Sequence, residues 1–282
     1  MVHRWSWLVL LAAACAAPGR MPLPPLPSGA EPAPRWSPSQ VSPPVATATA
    51  LRVAAYNIKH GRGMDDRLDL DRTAAAIARL EADVVALQEV DLAVRRSGDV
   101  NEPEWLGERL GMHSTFGAFM DYQGGRYGMA ILSRWPIERS FALRLPDGNE
   151  PRVALVAELR LPDGELLTVV DVHFDWVADD AFRFAQAEAV AAYLDSLRLP
   201  YVLLGDFNDQ PGSRTLQRFA ALATQAAKPA AAAATFPADA PHKEIDFVFV
   251  GPPAQWRAAR AWVAEEPLAS DHRPVVAELT RR

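Results

Sequence analysis

Cysteine is almost missing: the 282 residues include one, Cys15. A single cysteine forms no internal disulfide and supplies no thiolate set for a structural zinc. Positive charge is also scarce. Lysine and arginine number 29 against 35 aspartates and glutamates, a net charge of −6. Over residues 51–282 the balance is 26 basic to 34 acidic, or −8. Proteins that grip long DNA gain affinity by releasing phosphate counterions and need a basic surface to do so. This balance disfavours that class. The uncharged stretch at 5–14 is too short to span a bilayer as a helix. No repeat of 20 to 50 residues is present, which excludes solenoid and propeller arrays.

The first residues read as an export signal. His3 and Arg4 precede the apolar run at 5–14, and small residues follow it. Leu11-Ala12-Ala13-Ala14-Cys15 resembles a bacterial lipoprotein signal, although the leucine stands four residues before the cysteine, not the usual three. An Ala-rich cleavage site with a bystander Cys15 fits the same letters. Either way residues 1–17 are expected to direct the protein out of the cytoplasm, and Cys15 is the one candidate membrane anchor. Residues 18–50 are dominated by Pro, Ser, Ala and Thr and show no helical or strand period. A segment of that kind buries too little to offset its ordering entropy, and a disordered linker is expected. The catalytic domain is expected over 51–282.

From Leu51 onward short apolar runs alternate with amphipathic ones. Strands are expected at 52–57, 84–88, 129–132, 153–159, 166–172, 201–204, 245–250, 256–263 and 274–279. The Leu161-Pro162-Asp163-Gly164-Glu165 turn predicts a hairpin between the fourth and fifth of these. Helices are expected from Arg72 with Asp71 as cap, from Pro103, and from Asp179 or Asp180 to about Leu197. In the last, Phe182, Ala185, Ala189, Ala192 and Tyr193 fall near one face. The Ala230–Ala234 run, bracketed by Pro229 and Pro237, reads as a surface connection. Strands that alternate with helices and also pair as hairpins imply a mixed α/β architecture with helices outside.

The residues able to do chemistry fall at strand ends: Asn57, Glu89, His173, Asp206, Asn208, Asp246, Asp271 and His272. Charged groups so close to buried strands are costly without partners. A metal ion and a phosphate would satisfy them together.

These residues sit in seven words: Tyr56-Asn57-Ile58, Leu87-Gln88-Glu89-Val90, Tyr127-Gly128-Met129-Ala130-Ile131-Leu132-Ser133, Val172-His173, Gly205-Asp206-Phe207-Asn208, Ile245-Asp246-Phe247 and Ser270-Asp271-His272-Arg273-Pro274-Val275. In that order and spacing they resemble the endonuclease/exonuclease/phosphatase superfamily, which includes deoxyribonuclease I, abasic-site endonucleases, inositol polyphosphate phosphatases and bacterial sphingomyelinases. The resemblance implies two mixed β-sheets packed face to face with helices on both outer faces. It also implies hydrolysis of a phosphate ester with Mg²⁺ or Mn²⁺, for which carboxylate and amide oxygens are suited. By that resemblance Glu89, Asn57 and Asp271 are metal ligands. Asp206 orients or deprotonates the attacking water, and Asn208 donates to phosphoryl oxygens. His272 contacts the phosphoryl group with Asp246 fixing its tautomer, and His173 serves as acid toward the leaving oxygen. Arg152 stands either as a partner for a phosphate oxygen or as a surface charge, and Tyr127 as a substrate neighbour or a packing residue. His60, close to Asn57, is a further candidate for substrate contact.

Two positions depart from the commonest pattern: Asp171 stands where many relatives carry Asn, and Met129 likewise. The expected substrate is a lipid or small soluble phosphoester, with an exported nuclease as the alternative. The protein is expected to act as a monomer.

Overall fold

The computed structural model describes residues 23, 25–43 and 50–281. The signal at 1–17, with Cys15, lies outside them. Among the described residues no helix is long and apolar enough to cross a membrane.

In chain order the elements are β1 (Ala30–Pro32), β2 (Arg35–Trp36), β3 (Ala50–Asn57), α1 (Leu70–Arg79), β4 (Val84–Leu92), α2 (Glu102–Leu110), β5 (His113–Tyr122), β6 (Gly125–Ser133), β7 (Ile137–Arg144), β8 (Val153–Arg160), β9 (Leu166–His173), α3 (Ala181–Ser196), β10 (Tyr201–Asp206), α4 (Arg214–Ala220), β11 (Thr224–Gln225), β12 (Asp246–Gly251), β13 (Trp256–Val263) and β14 (Val275–Arg281). They form two mixed sheets of seven strands, in the orders β1-β7-β8-β9-β10-β12-β11 and β13-β14-β3-β4-β6-β5-β2. Each sheet has one parallel pair, β9 with β10 and β3 with β4. The α/β sandwich expected from the sequence is the observed one.

Three apolar layers explain the stacking. Val53, Ala55, Ile131, Leu155, Val169 and Val248 belong to the core between the sheets. Val170, Leu203, Ala187 and Val190 belong to a second, where α3 and α4 cover one sheet. Tyr56, Leu87, Ile77 and Leu106 belong to a third, where α1 and α2 cover the other. Central strands therefore read as unbroken apolar runs because both of their faces are buried.

Local chemistry differs from expectation in four places. The cap of α1 is Asp69, which accepts a bond from the Arg72 backbone N–H at 2.9 Å; Asp71 lies inside the helix. Helix α3 buries Gln186, Ala187, Val190, Ala191 and Leu194 and leaves Phe182, Ala185 and Ala192 exposed. An Ala-rich helix has weak amphipathic contrast, so its buried face is chosen by the sheet. Strands β5 and β7 and helix α4 were not among the expected elements. Finally, part of 18–50 is ordered: β1 pairs with β7 and β2 with β5, so one short segment edges both sheets. This corrects the linker expectation there. Sheet edges offer unpaired backbone groups, and a Pro-containing strand can use them without any side-chain period.

Candidate active site

The parallel pairs bring the C-terminal ends of β3, β4, β9 and β10 to one end of the sandwich. Register then does the placing. Asp206 lies opposite His173 on one side and opposite Asp246 on the other, so the three share a face. Gly205 allows this approach: its φ is 138°, and a Cβ there would stand 2.0 Å from the Val172 carbonyl oxygen. Glu89 is the extra residue of a β-bulge, since Gln88 pairs with Met129 and Val90 with Gly128. Its backbone is left-handed, with φ 56°. A bulge of this kind re-aims one side chain at the edge of a site.

The sheets join at the site through two amide contacts. Asn57 Nδ2 donates to Glu89 Oε1 at 3.0 Å and to Asp206 Oδ2 at 3.3 Å. Gln88 Nε2 donates to Asp171 Oδ1 at 2.7 Å. Asp206 Oδ1 accepts from the Asn208 backbone N–H at 2.9 Å. Asp206 Oδ2 stands 3.5 Å from His173 Nε2 and 3.7 Å from His272 Nε2. His272 Nδ1 faces Asp246 Oδ2 at 3.0 Å, and that carboxylate also accepts from the Thr235 hydroxyl. Asn208 spends one amide hydrogen on the Phe174 carbonyl at 3.0 Å.

The environments drive the titrating groups apart. Burial, reinforced by the Asp246 charge, pushes Asp206 up to about 7. Burial opposes protonation of His272, yet the carboxylates of Asp246 and Asp206 outweigh it and raise the imidazole to about 10. His173 is held well below the usual range by burial, then by the Arg152 and His272 charges. One histidine is thus a cation and the other neutral, a division of roles typical of acid–base sites.

Glu89, Tyr127, Arg152, His173, Asp206, Asn208, Asp271 and His272 line one cavity of about 280 Å³. Asn57 and Asp246 lie behind them. Arg152 is only 1% exposed, which rules out the surface-charge reading. Its Nη2 pairs with Glu150 at 3.0 Å and its guanidinium lies 4.9 Å over the Phe119 ring, while Nε and Nη1 have no partner. Tyr127 packs edge-on against Phe119. His60 does not line the cavity. It is buried beside Arg96 and Asp91, and burial first, then the Arg96 charge, lowers it to about 4. Sequence reasoning missed Trp176, Phe236 and Glu150. Lys59 Nζ pairs with Asp271 Oδ2 at 2.9 Å.

Two groupings could hold a cation. Asp206, Asp246 and His272 place ligand atoms within 4.8 Å of one another. Their lone pairs are largely taken by each other and by Thr235. Glu89 and Asp271 are more open and offer oxygen only, which suits a hard divalent ion better. Asn57 turns its Oδ1 to the Lys59 backbone N–H, so here it orients Glu89 and Asp206.

The sequence profile of the endonuclease/exonuclease/phosphatase family matches residues 54–272, and the site lies within that span. The chain belongs to this family. It is 30% identical over 256 residues to the uncharacterized protein YbhP of Escherichia coli (strain K12), covering 82% of this chain and 96% of that one. The fold resembles a family protein of Bacteroides thetaiotaomicron, with TM-score 0.70, 21% identity and coverage of 82% and 97%. It also resembles mannosyl-6-phosphatase Bt3783 of the same species, with TM-score 0.69, 20% identity and coverage of 82% and 99%. The human Nocturnin catalytic domain gives TM-score 0.63, 18% identity and coverage of 89% and 99%. As a member of the family the chain is a hydrolase of phosphate mono- or diesters.

Proposed function

We propose that this hydrolase is Mg²⁺- or Mn²⁺-dependent and acts outside the cytoplasm on a lipid or small soluble phosphoester. The observation that carries the reading is Arg152: a buried guanidinium with two unpartnered nitrogens, on the wall of the cavity that holds Asp206 and both histidines. Glu150 meets one nitrogen of this guanidinium, and the oxygens of one phosphate would meet the two that remain open. A long polyanion calls for a run of such groups. Lys59 is paired with Asp271 and Arg62 with Asp66, while Arg126 belongs to a different cavity.

Glu89 and Asp271 would hold the divalent ion, with Asn57 behind Glu89. Bound there, such an ion neutralises phosphoryl charge and steadies the leaving oxygen. Asp206 receives the proton of the attacking water, for which its raised affinity suits it near neutral pH. Protonated His272, the free amide hydrogen of Asn208 and Arg152 meet the phosphoryl oxygens as charge spreads over them. His173, kept neutral, donates a hydrogen bond here, not a proton.

The test is purified protein with Mg²⁺ against plasmid DNA, sphingomyelin, phosphoinositides and inositol phosphates. Cleavage of a lipid or inositol ester is expected. Plasmid nicking that weakens steeply with salt, with every other ester untouched, makes the protein a nuclease. Metabolic labelling with a palmitate analogue tests the envelope anchor: label on the wild type that disappears in Cys15→Ser supports it, and no label leaves plain secretion.

A further inference from the structure

The catalytic cavity has a neighbour. A second cavity of about 430 Å³ shares Trp176, Asn208, Phe236 and His272 with it as common wall. Arg183, Asp209 and Lys243 line the far side. Arg183 and Asp209 neutralise one another at 3.1 Å. Lys243 has no such neighbour: its side chain is exposed, and no carboxylate among the described residues pairs with it. Its ammonium lies 5.7 Å from the Phe236 ring centre, and the His272 ring lies 5.0 Å from the same centre. The ammonium and the imidazole are therefore within about 11 Å of each other. The fold uses the backbone of Lys243, which pairs with Phe236 and Thr235, and makes no demand on its side chain. Trp176, 59% exposed, and Phe236 add flat apolar wall between the two cations.

We propose that the second cavity is an anion subsite. Lys243 holds a second phosphate or carboxylate of the substrate while the scissile phosphoryl group lies at Asp206 and His272, and the carbon skeleton between them rests on Trp176 and Phe236. This deepens the phosphoester reading above and rests on it. The preferred substrates are then small esters with two anionic groups a few bonds apart. In a domain of net charge −8, one free cation at this distance selects for charge placement and not for total charge.

The experiment uses the full chain with Mg²⁺ and a series of straight-chain diol bisphosphates, from ethanediol to hexanediol, beside the matching alkyl monophosphates. At the best spacing, kcat/KM for the bisphosphate exceeds that for the monophosphate by about tenfold, the scale of one charge-assisted contact. Lys243→Gln removes the advantage and Lys243→Arg keeps it. An advantage that survives in Lys243→Gln, or no advantage at any spacing, overturns the subsite. Calorimetry with the Asp206→Asn protein separates this from the reaction itself. Hexanediol or butanediol bisphosphate should bind it about tenfold more tightly than the Asp206→Asn/Lys243→Gln double variant. Equal binding refutes the subsite even where hydrolysis occurs. Failure of the wild type to cleave any ester, with that binding difference intact, refutes only the phosphoester reading.

Discussion

Replacing Asp171 with Asn should change how stability depends on pH, and by a predictable slope. Asp171 is fully buried between the sheets. Its Oδ1 accepts from Gln88, and its Oδ2 has no partner. Burial pushes the carboxyl well above its ordinary value of 3.8, the Gln88 and Val172 bonds pull it back in part, and the Asp206 charge adds to the rise. The folded chain therefore keeps a proton that the unfolded chain has released once the pH passes 3.8. Unfolding releases that proton, so this group's contribution falls as pH rises from 3.8 to the folded value and is flat beyond. One proton corresponds to about 1.4 kcal/mol per pH unit. Asn carries no such proton. The stability of Asp171→Asn minus that of the wild type should therefore grow as the pH rises above 3.8, by up to about 1.4 kcal/mol per pH unit, until the folded carboxyl itself gives up its proton. Other carboxylates cancel in the difference. The new amide hydrogens need acceptors, which adds a constant offset of about 1–3 kcal/mol that does not tilt the curve. Urea unfolding followed by tryptophan fluorescence, with chelator present, measures both curves. Parallel curves would refute the reasoning, because they mean that Asp171 has the same charge folded and unfolded.

Glu89→Gln should cut turnover by about a hundredfold or more while the melting curve holds, since the side chain faces the cavity; EDTA should do the same and Mg²⁺ or Mn²⁺ should reverse it, and full activity in chelator would sink the metal assignment. Asp246→Asn and His272→Ala should be non-additive in kcat, because the carboxylate acts through the imidazole; rate losses that multiply would show independent roles. Arg152→Met should lower kcat/KM by roughly tenfold to a hundredfold, the scale of a lost hydrogen bond to a charged group, and should not lower the melting temperature of the free protein; an unfolded variant with full specific activity in its folded fraction would make Arg152 a structural residue. Deleting residues 1–43 removes both edge strands β1 and β2 and the bond from Arg35 to the Ile137 carbonyl; a loss of roughly 2 kcal/mol, hence about 4–8 °C in Tm, is expected in calorimetry, and an unchanged melt would show that the strap contributes nothing.

Much of the site was legible because its residues follow unbroken apolar runs. A run such as Tyr201-Val202-Leu203-Leu204 can only be a strand buried on both faces, and the polar residue that ends it must emerge at a sheet edge. The residues that escaped notice have no such marker. Trp176, Glu150 and Phe236 sit in irregular loops whose path depends on the strands that carry them. Lys59 was legible as one member of a possible basic patch, but its pairing with Asp271 depends on the turn after β3. Residues 30–36 failed in the opposite sense. Their composition signals disorder, but pairing to a sheet edge runs through the backbone, which composition does not report.

By itself the sequence determined a mixed α/β architecture, the nine strands that carry apolar runs and the residue types available for phosphoester chemistry, while the face-to-face sandwich entered only as what the family resemblance implied. These depend on local period, on burial and on the letters at strand ends. The tertiary structure decided the charge states. Arg152, open in the sequence between a phosphate partner and a surface charge, was decided only once the sheets closed over it, and His173 and His272, both strand-end histidines in the sequence, came apart into a neutral and a cationic ring. The reason is physical: desolvation and the Coulomb field at a side chain are set by everything packed within a few ångströms of it, and in this protein those neighbours come from strands far apart in the chain.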